Sequence, residues 1–294
     1  MFGTNEIVGA KFFRDAPTNS LFVTSVFYTL QGEGPYSGCP AVFVRLAKCN
    51  LACSFCDTIF DQGEWLTFDQ LYKRIKAELF SYWQKQGLGV PTCAIYENPD
   101  YYGVGLVITG GEPTLQDNLV DFLDDASKKF PWVQIESNGI RQVNLNSDAV
   151  TVVISPKCAE DNGRPTKYLK PREQMLRQAH CLKFVMCAPT NADNPSPYES
   201  IPDWAFEWAD SSGKQIFVSP MNVYKSIPKK MRLISGKTDK SIEERSTVDE
   251  VVSFWEPGVL DMEANQRNHE YTAKYAMSNG LRFQLQTHLY AGLA

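Results

Sequence analysis

Apolar residues gather along this chain in short runs separated by longer amphipathic stretches. Six runs have the length and β-branched content of buried strands: Ala41–Ala47 (AVFVRLA), Gly105–Thr109 (GLVIT), Val133–Ser137 (VQIES), Val150–Ser155 (VTVVIS), Cys181–Met186 (CLKFVM) and Gln215–Ser219 (QIFVS). Elsewhere apolar residues recur at helical spacing. Phe68, Leu71, Ile75 and Leu79 predict a helix over Phe68–Lys85, opened by a Thr67/Gln70 capping box. Leu115, Leu119, Phe122, Leu123 and Ala126 predict a second helix, stopped by Pro131. A third spans Met262–Met277 and ends near Gly280. Strand and helix alternating about six times imply an α/β fold with a parallel sheet and right-handed crossovers, either curled into a full or partial barrel or left open. The Pro-rich stretch Pro189–Lys214 and the charged stretch Tyr224–Pro257 fit no such unit. They read as decorations on a single domain over residues 1–294.

Composition narrows the class. A chain of 294 residues with 43% hydrophobic content can bury a large core. A formal charge of -5 argues against a nucleic-acid grip, which needs a basic face. No apolar run approaches the ~20 residues of a membrane span, and the N-terminus lacks a secretory pattern. The chain therefore reads as soluble and cytoplasmic, with neither nucleic acid nor membrane as partner. In that compartment clustered cysteines bind metal or do redox chemistry more often than they pair.

Three of the eight cysteines are clustered, in AKCNLACSFCDT (Ala47–Thr58), at Cys49, Cys53 and Cys56. A structural zinc site closes with four ligands. The three histidines, His180, His269 and His288, lie far along the chain, so zinc would need Asp57 or another distant group. An electron-carrying iron–sulfur cluster takes four thiolates; three thiolates on four irons leave one iron free to hold a small chelating molecule. Downstream, VITGGEPTLQ (Val107–Gln116) sets Gly110, Gly111, Glu112 and Pro113 directly after the second strand. Its glycines either admit close backbone approach to a ligand or simply turn the chain. The third strand ends in Glu136, Ser137 and Asn138, which suit ribose hydroxyls, and the fourth in Ser155, Pro156 and Lys157. Parallel sheets present ligand groups at these strand ends.

In this order the motifs resemble the radical S-adenosylmethionine superfamily. The resemblance implies a partial (β/α)6 barrel with insertions and one [4Fe-4S] cluster on Cys49, Cys53 and Cys56. S-adenosylmethionine would chelate the open iron and, on cleavage, yield a hydrogen-abstracting 5′-deoxyadenosyl radical. For that cofactor the resemblance implies contacts from Phe55, Cys56, Asp57, Gly110, Gly111, Glu112 and Ser137, then from Ser155, Pro156 and Lys157, and from the turn Ser219, Pro220, Met221 and Asn222.

The whole block Ser25–Thr58, with ISPK, LKFV (Leu182–Val185), SPMN (Ser219–Asn222) and LQTH (Leu285–His288), is similar to the 7-carboxy-7-deazaguanine synthase family. That implies a lyase of queuosine and deazapurine biosynthesis, contracting the ring of 6-carboxy-5,6,7,8-tetrahydropterin and releasing ammonia, with Mg2+ in support. In this resemblance Leu30, Gln31 and Gly32 edge the pterin and Glu33 accepts from its guanidine-like edge. Arg45 clamps the substrate carboxylate, unless it pairs with a neighbouring acid. Thr109 and His288 touch substrate, and Thr58 holds magnesium. A homodimer and a flavodoxin-type reductant are also implied. Two departures stand out: Ser219 occupies a position where glutamine is common, and Ala294 follows the usual Gly-Leu ending. A radical activase or a zinc-held binding module would share the cysteines.

Overall fold

All six apolar runs are strands of one sheet in a computed structural model of the chain, which describes residues 6–58, 60–87, 103–190, 194–226, 229–234, 251–256, 259–291 and 293. In chain order the strands are β1 (Ser20–Leu30), β2 (Pro40–Leu46), β3 (Glu64–Thr67), β4 (Gly105–Gly110), β5 (Val133–Ser137), β6 (Thr151–Ile154), β7 (Cys158–Asp161) and β8 (Arg164–Tyr168). They continue with β9 (Cys181–Met186), β10 (Gln215–Pro220), β11 (Tyr224–Ser226), β12 (Lys229–Ile234), β13 (Val251–Glu256), β14 (Val259–Leu260) and β15 (Arg282–Phe283). The helices are α1 (Phe68–Lys85), α2 (Leu119–Ala126), α3 (Glu173–Gln178), α4 (Asp203–Ser212), α5 (Met262–Asn279) and α6 (Thr287–Tyr290).

The main sheet runs β15-β10-β9-β6-β5-β4-β2-β1-β3. Every neighbouring pair from β2 to β15 is parallel, and spatial order follows chain order. β1 and β3 add an antiparallel edge. The sheet ends on β3 and β15 without closing, so its six long parallel strands form a partial barrel. β7 and β8 form a separate hairpin beyond β6.

Side-chain alternation along these strands divides the protein into two interiors. Val42, Val44, Leu106, Ile108, Ile135, Val152, Ile154, Leu182, Phe184, Ile216 and Val218 face one core, with Leu71, Ile75 and Leu79 of α1 and Phe122 of α2. Their neighbours point the other way, as the two-residue period of a strand requires. Those neighbours include Phe43, Arg45, Thr109, Glu136, Lys183, Val185 and Ser219, which line a single cavity. The helix-facing side is wholly apolar, whereas the cavity side mixes apolar and polar groups.

The helix over Phe68–Lys85 has the bounds its pattern predicts, and both bonds of its capping box form: Gln70 N donates to Thr67 Oγ1 (3.3 Å) and Thr67 N to Gln70 Oε1 (2.9 Å). α5 stops where Gly280 adopts a left-handed conformation (φ 65°). The second helix is shorter than its pattern suggests. Pro113 turns residues Pro113–Leu115 into a single 3-10 turn, and α2 begins only at Leu119. The link from β5 to β6, residues 138–150, contains no helix. In the second half of Pro189–Lys214, α4 lies between β9 and β10, and Tyr198 just before it is 1% exposed. Flanking prolines and acidic residues mask the apolar face of this ten-residue helix in the sequence. Of Tyr224–Pro257, residues 227–228, 235–250 and 257 lie outside the described residues; the rest holds β11 and the β12–β13 hairpin. Among the described residues no helix is long and apolar enough to cross a membrane.

Ile108 has no solvent exposure, so Ile108→Ala is expected to lower the urea-unfolding free energy by about 2–5 kcal/mol. Thr67→Ala, which removes only a surface cap, should lower it by about 1 kcal/mol. Equal losses would contradict the assignment of the helix-facing side as the principal core.

Candidate active site

The cysteine loop leaves β2 at its C-terminal end and is held by backbone on both sides. Lys48 turns the chain through a left-handed conformation (φ 72°), its N–H donating to Phe60 O (2.7 Å). Cys49 O accepts from Val8 N (2.8 Å), and Cys56 N donates to Cys53 O (3.1 Å). Across the loop, Ser54 donates from both its N–H (2.7 Å) and its hydroxyl (3.1 Å) to Glu160 Oε1 on β7. Asn138 Nδ2 donates to Asn50 Oδ1 (2.8 Å).

The Gly110–Gly111 pair makes this packing possible. Gly111 N donates to Leu46 O (3.0 Å) and Glu112 N to Lys48 O (2.9 Å), which brings the β4 turn onto the cysteine loop. A Cβ on Gly111 would lie 2.0 Å from Lys48 O, and one on Gly110 2.1 Å from Leu46 O. The close approach expected toward a ligand is thus first of all an approach to the loop's own backbone. Glu112 is likewise engaged by protein: its carboxylate accepts from Thr114 N (3.0 Å), Ser137 Oγ (2.8 Å) and Asn138 N (2.7 Å). It locks the ends of β4 and β5 together.

Cys49, Cys53 and Cys56 line the cavity, whereas Cys158, itself 2% exposed, does not. Burial pushes the Cys49 and Cys56 thiols up to about 12, helped by Glu112 and Asp57 respectively. Cys53 is also raised by burial, with Lys157 opposing. Among the described residues no three His, Cys, Asp or Glu side chains converge on a single-ion site. Among the described residues three thiols, one buried and two half-buried, line the cavity while Cys158 stays outside it, which fits a cluster with one open iron; metal binding would remove their protons. Thr58 donates its hydroxyl to Asp57 Oδ1 (3.2 Å), so two oxygen groups adjoin the thiols, a donor set suited to Mg2+.

Further along the cavity stands Arg45. Its guanidinium lies 5.0 Å above the Phe27 ring and, among the described residues, makes no hydrogen bond or ion pair. The internal pairing that would have explained an arginine in an apolar strand is absent from these residues. Burial lowers its pKa from the ordinary value, opposed by Asp57, Cys56 and Glu136. Beside β2 in the sheet, Thr109 is directly in register with Arg45.

A second charged group lies on the same sheet face. Lys183 on β9 pairs with Glu33 and, at 3.5 Å, with Glu136. Gln31 Nε2 donates to Glu136 Oε1 (3.0 Å), and Gln286 Nε2 to Glu33 Oε1 (3.2 Å). Gly32 lies so close to the chain ahead of α6 that a Cβ there would sit 2.8 Å from the Gln286 Cα. The C-terminal segment is thereby docked onto the Gln31–Glu33 block. Lys157 takes a different set of partners, donating to Ser155 O (2.9 Å) and Ser155 Oγ (2.6 Å); burial and the nearby Lys183 lower its pKa. Among the described residues, buried Thr29 Oγ1, Ser219 Oγ and His288 Nδ1 have no partner, and burial pushes the His288 pKa down. Orphaned polar atoms on a cavity wall are what a bound molecule would satisfy.

The cavity therefore gathers Gln31, Glu33, Arg45, the three cysteines, Phe55, Asp57, Thr58, Thr109, Gly110, Gly111, Glu112, Ser137, Ser155, Lys157, Ser219, Pro220, Asn222 and His288. Leu30, Gly32, Pro156 and Met221 do not line it. Leu30 pairs with Pro40 at the end of β1, and Met221 N donates to Met186 O (2.6 Å). Thr29, Lys183 and Gln286 line the cavity without having been singled out from the sequence. Lys183 had a legible signal: a lone cation at an alternate position of CLKFVM.

A 7-carboxy-7-deazaguanine synthase from Rickettsia prowazekii is 30% identical over 275 residues, covering 93% of this chain and 88% of the relative. The chain belongs to the 7-carboxy-7-deazaguanine synthase family. This bears out the family, and with it the radical S-adenosylmethionine superfamily, that the motif order indicates. Family members from Bacteroides thetaiotaomicron (39% over 137 residues, 46% of this chain and 60% of the relative) and Rhodospirillum rubrum (35% over 189 residues, 64% and 66%) also match. The crystal structure of QueE from Escherichia coli aligns over 95% of this chain and 99% of its own, with a TM-score of 0.49 and 18% identity. No protein-family model matches the chain.

Gly111→Ala is expected to push the cysteine loop off the β4 turn, and Cys53→Ala to remove a thiol outright. After anaerobic reconstitution both should hold much less iron and sulfide per chain than the native protein, with far-ultraviolet circular dichroism unchanged. Native iron content in Gly111→Ala would show that the loop does not depend on this contact.

Proposed function

We propose that the chain contracts the ring of 6-carboxy-5,6,7,8-tetrahydropterin to 7-carboxy-7-deazaguanine with loss of ammonia, a step of queuosine and related deazapurine biosynthesis. The observation that carries this reading is the unpaired Arg45 guanidinium on the cavity that also holds three thiols and an acidic pair. A half-buried guanidinium on a cavity wall that bonds to no carboxylate among the described residues calls for an anion, and its planar fork matches a carboxylate. The Glu33 and Glu136 carboxylates call for N–H donors. A carboxypterin carries both features: a carboxylate on one ring and a guanidine-like edge on the other.

In this reading Arg45 binds the substrate carboxylate and Thr109, its register partner, flanks it. Glu33, with Gln31 beside it, reads the donor edge. Burial keeps the His288 ring neutral near pH 7, and its free Nδ1 takes part in a hydrogen bond to substrate. Stacked Phe27 and Phe43, with ring centroids 5.2 Å apart, keep this end of the cavity apolar and shield it from water. Cys49, Cys53 and Cys56 would hold a [4Fe-4S] cluster, Thr58 would hold Mg2+, and Phe55, Asp57, Ser155, Lys157 and Asn222 would contact S-adenosylmethionine. When bound, the cluster and S-adenosylmethionine supply the hydrogen-abstracting radical of the superfamily. Family resemblance adds to the same proposal a flavodoxin-type reductant, a homodimer and a cytoplasmic setting.

The test is anaerobic incubation of reconstituted protein with reductant, S-adenosylmethionine, Mg2+ and the carboxytetrahydropterin, following carboxydeazaguanine and ammonia. Iron and sulfide without product would remove this reading, and zinc without sulfide would leave a binding module. Arg45→Ala is expected to keep the cluster's visible absorption but raise KM about ten- to hundredfold, the equivalent of ~1.5–3 kcal/mol for a buried charge-assisted contact. An unchanged KM would detach Arg45 from the substrate.

A further inference from the structure

One buried ammonium at the acidic end of the cavity has no role in the reading above. Lys183 is 6% exposed and reaches carboxylates from two other elements, Glu33 in the β1–β2 turn and Glu136 on β5. Each carboxylate also has amide support: Gln31 and Gln134 donate to Glu136 Oε1 (3.0 and 3.1 Å), and Gln286 donates to Glu33 Oε1 (3.2 Å). Two acids share one cation, and their side chains are only 8% and 11% exposed. Burial works against the charge on Lys183, yet Glu136 and Glu33 outweigh it and raise its pKa.

Without that cation, the two carboxylates would face each other with no ammonium bonded between them, and their mutual repulsion would no longer be held in check by a direct partner. Carboxylates no longer tied to one ammonium would turn apart, so the wall would lose its fixed array of acceptor oxygens. Lys157 offsets their charge from nearby, but its ammonium donates to the Ser155 carbonyl and hydroxyl and not to either acid, so it does not fix their orientation. We infer that Lys183 is a specificity-determining positioning residue: it holds the Glu33 and Glu136 oxygens in one fixed acceptor array, so that the wall takes ligand edges rich in N–H and rejects edges that present a carbonyl. The inference rests on the carboxypterin reading and adds to it which side chain enforces the choice of ring edge.

The discriminating experiment compares two ligands on the reconstituted enzyme: the carboxytetrahydropterin, and its analogue with a carbonyl in place of the 2-amino group. The native protein is expected to prefer the amino form by at least about tenfold, one buried charge-assisted bond. In Lys183→Met the preference should fall to within about threefold while iron content is retained, and Lys183→Arg should keep it. A native ratio near one overturns the inference without any variant, as does an undiminished ratio in Lys183→Met. If Lys183→Met does not fold, Lys183→Gln, a donor without charge, is read in the same way. Failure of the native enzyme to bind the carboxytetrahydropterin at all would instead strike the carboxypterin reading, a distinguishable result.

Discussion

The six parallel strands are covered on both faces, and each alternate side chain must find either an apolar neighbour or a hydrogen-bond partner there. On the helix side the solution is uniform apolar packing around Leu106, Ile108 and Leu182. On the other side apolar and polar residues alternate with the strand period, and the polar ones satisfy one another only in part. Lys183 and Glu136 pair across β6, from β9 to β5, but among the described residues Thr29 and Ser219 are left with hydroxyls that no protein group meets, and Arg45 bonds to none. This incomplete satisfaction distinguishes a binding cavity from a second core.

The cysteine loop follows from the same sheet. β2 and β4 are parallel neighbours, so the loops leaving their C-terminal ends emerge side by side. The glycine pair after β4 lets them touch through backbone, and Glu112 ties the next strand end to them through Ser137 and Asn138. From beyond β6 the β7–β8 hairpin reaches back, with Glu160 gripping Ser54. Three strand ends and one hairpin thereby position a loop that has no regular structure of its own between Leu51 and Thr58. The chemistry at the thiols depends on contacts spread over more than a hundred residues of chain.

Charge is distributed unevenly over the cavity. The unpaired guanidinium on β2 makes one region anion-accepting, and the Glu33–Lys183–Glu136 group carries a formal excess of one negative charge. A ligand with opposite polarity at its two ends aligns in such a field, which gives orientation as well as affinity. The C-terminal segment takes part in the same group through Gln286 and carries His288 into the cavity. Residues from both halves of the chain therefore line one cavity.

The sequence by itself determined the parallel β/α core, because strand and helix periods are local and the mainly apolar runs stand out from the amphipathic stretches between them. The capping box of α1, the glycine stop of α5 and the cysteine spacing were legible for the same reason: each is a relation among residues within one or two turns. The antiparallel edge strand β1, the α4 crossover and the helix-free link between β5 and β6 were not, since tertiary packing outweighs their weak local preferences. Within the site, motif order named the cysteine loop and the Gln31–Glu33 block. Only the tertiary structure decided that the glycines pack on backbone, that Glu112 is engaged by protein, and that Lys183 joins acids 150 and 47 residues away. Those facts depend on which strands are neighbours and which way a side chain alternates, and hydrogen-bond partners that distant in the chain leave no local trace in the sequence.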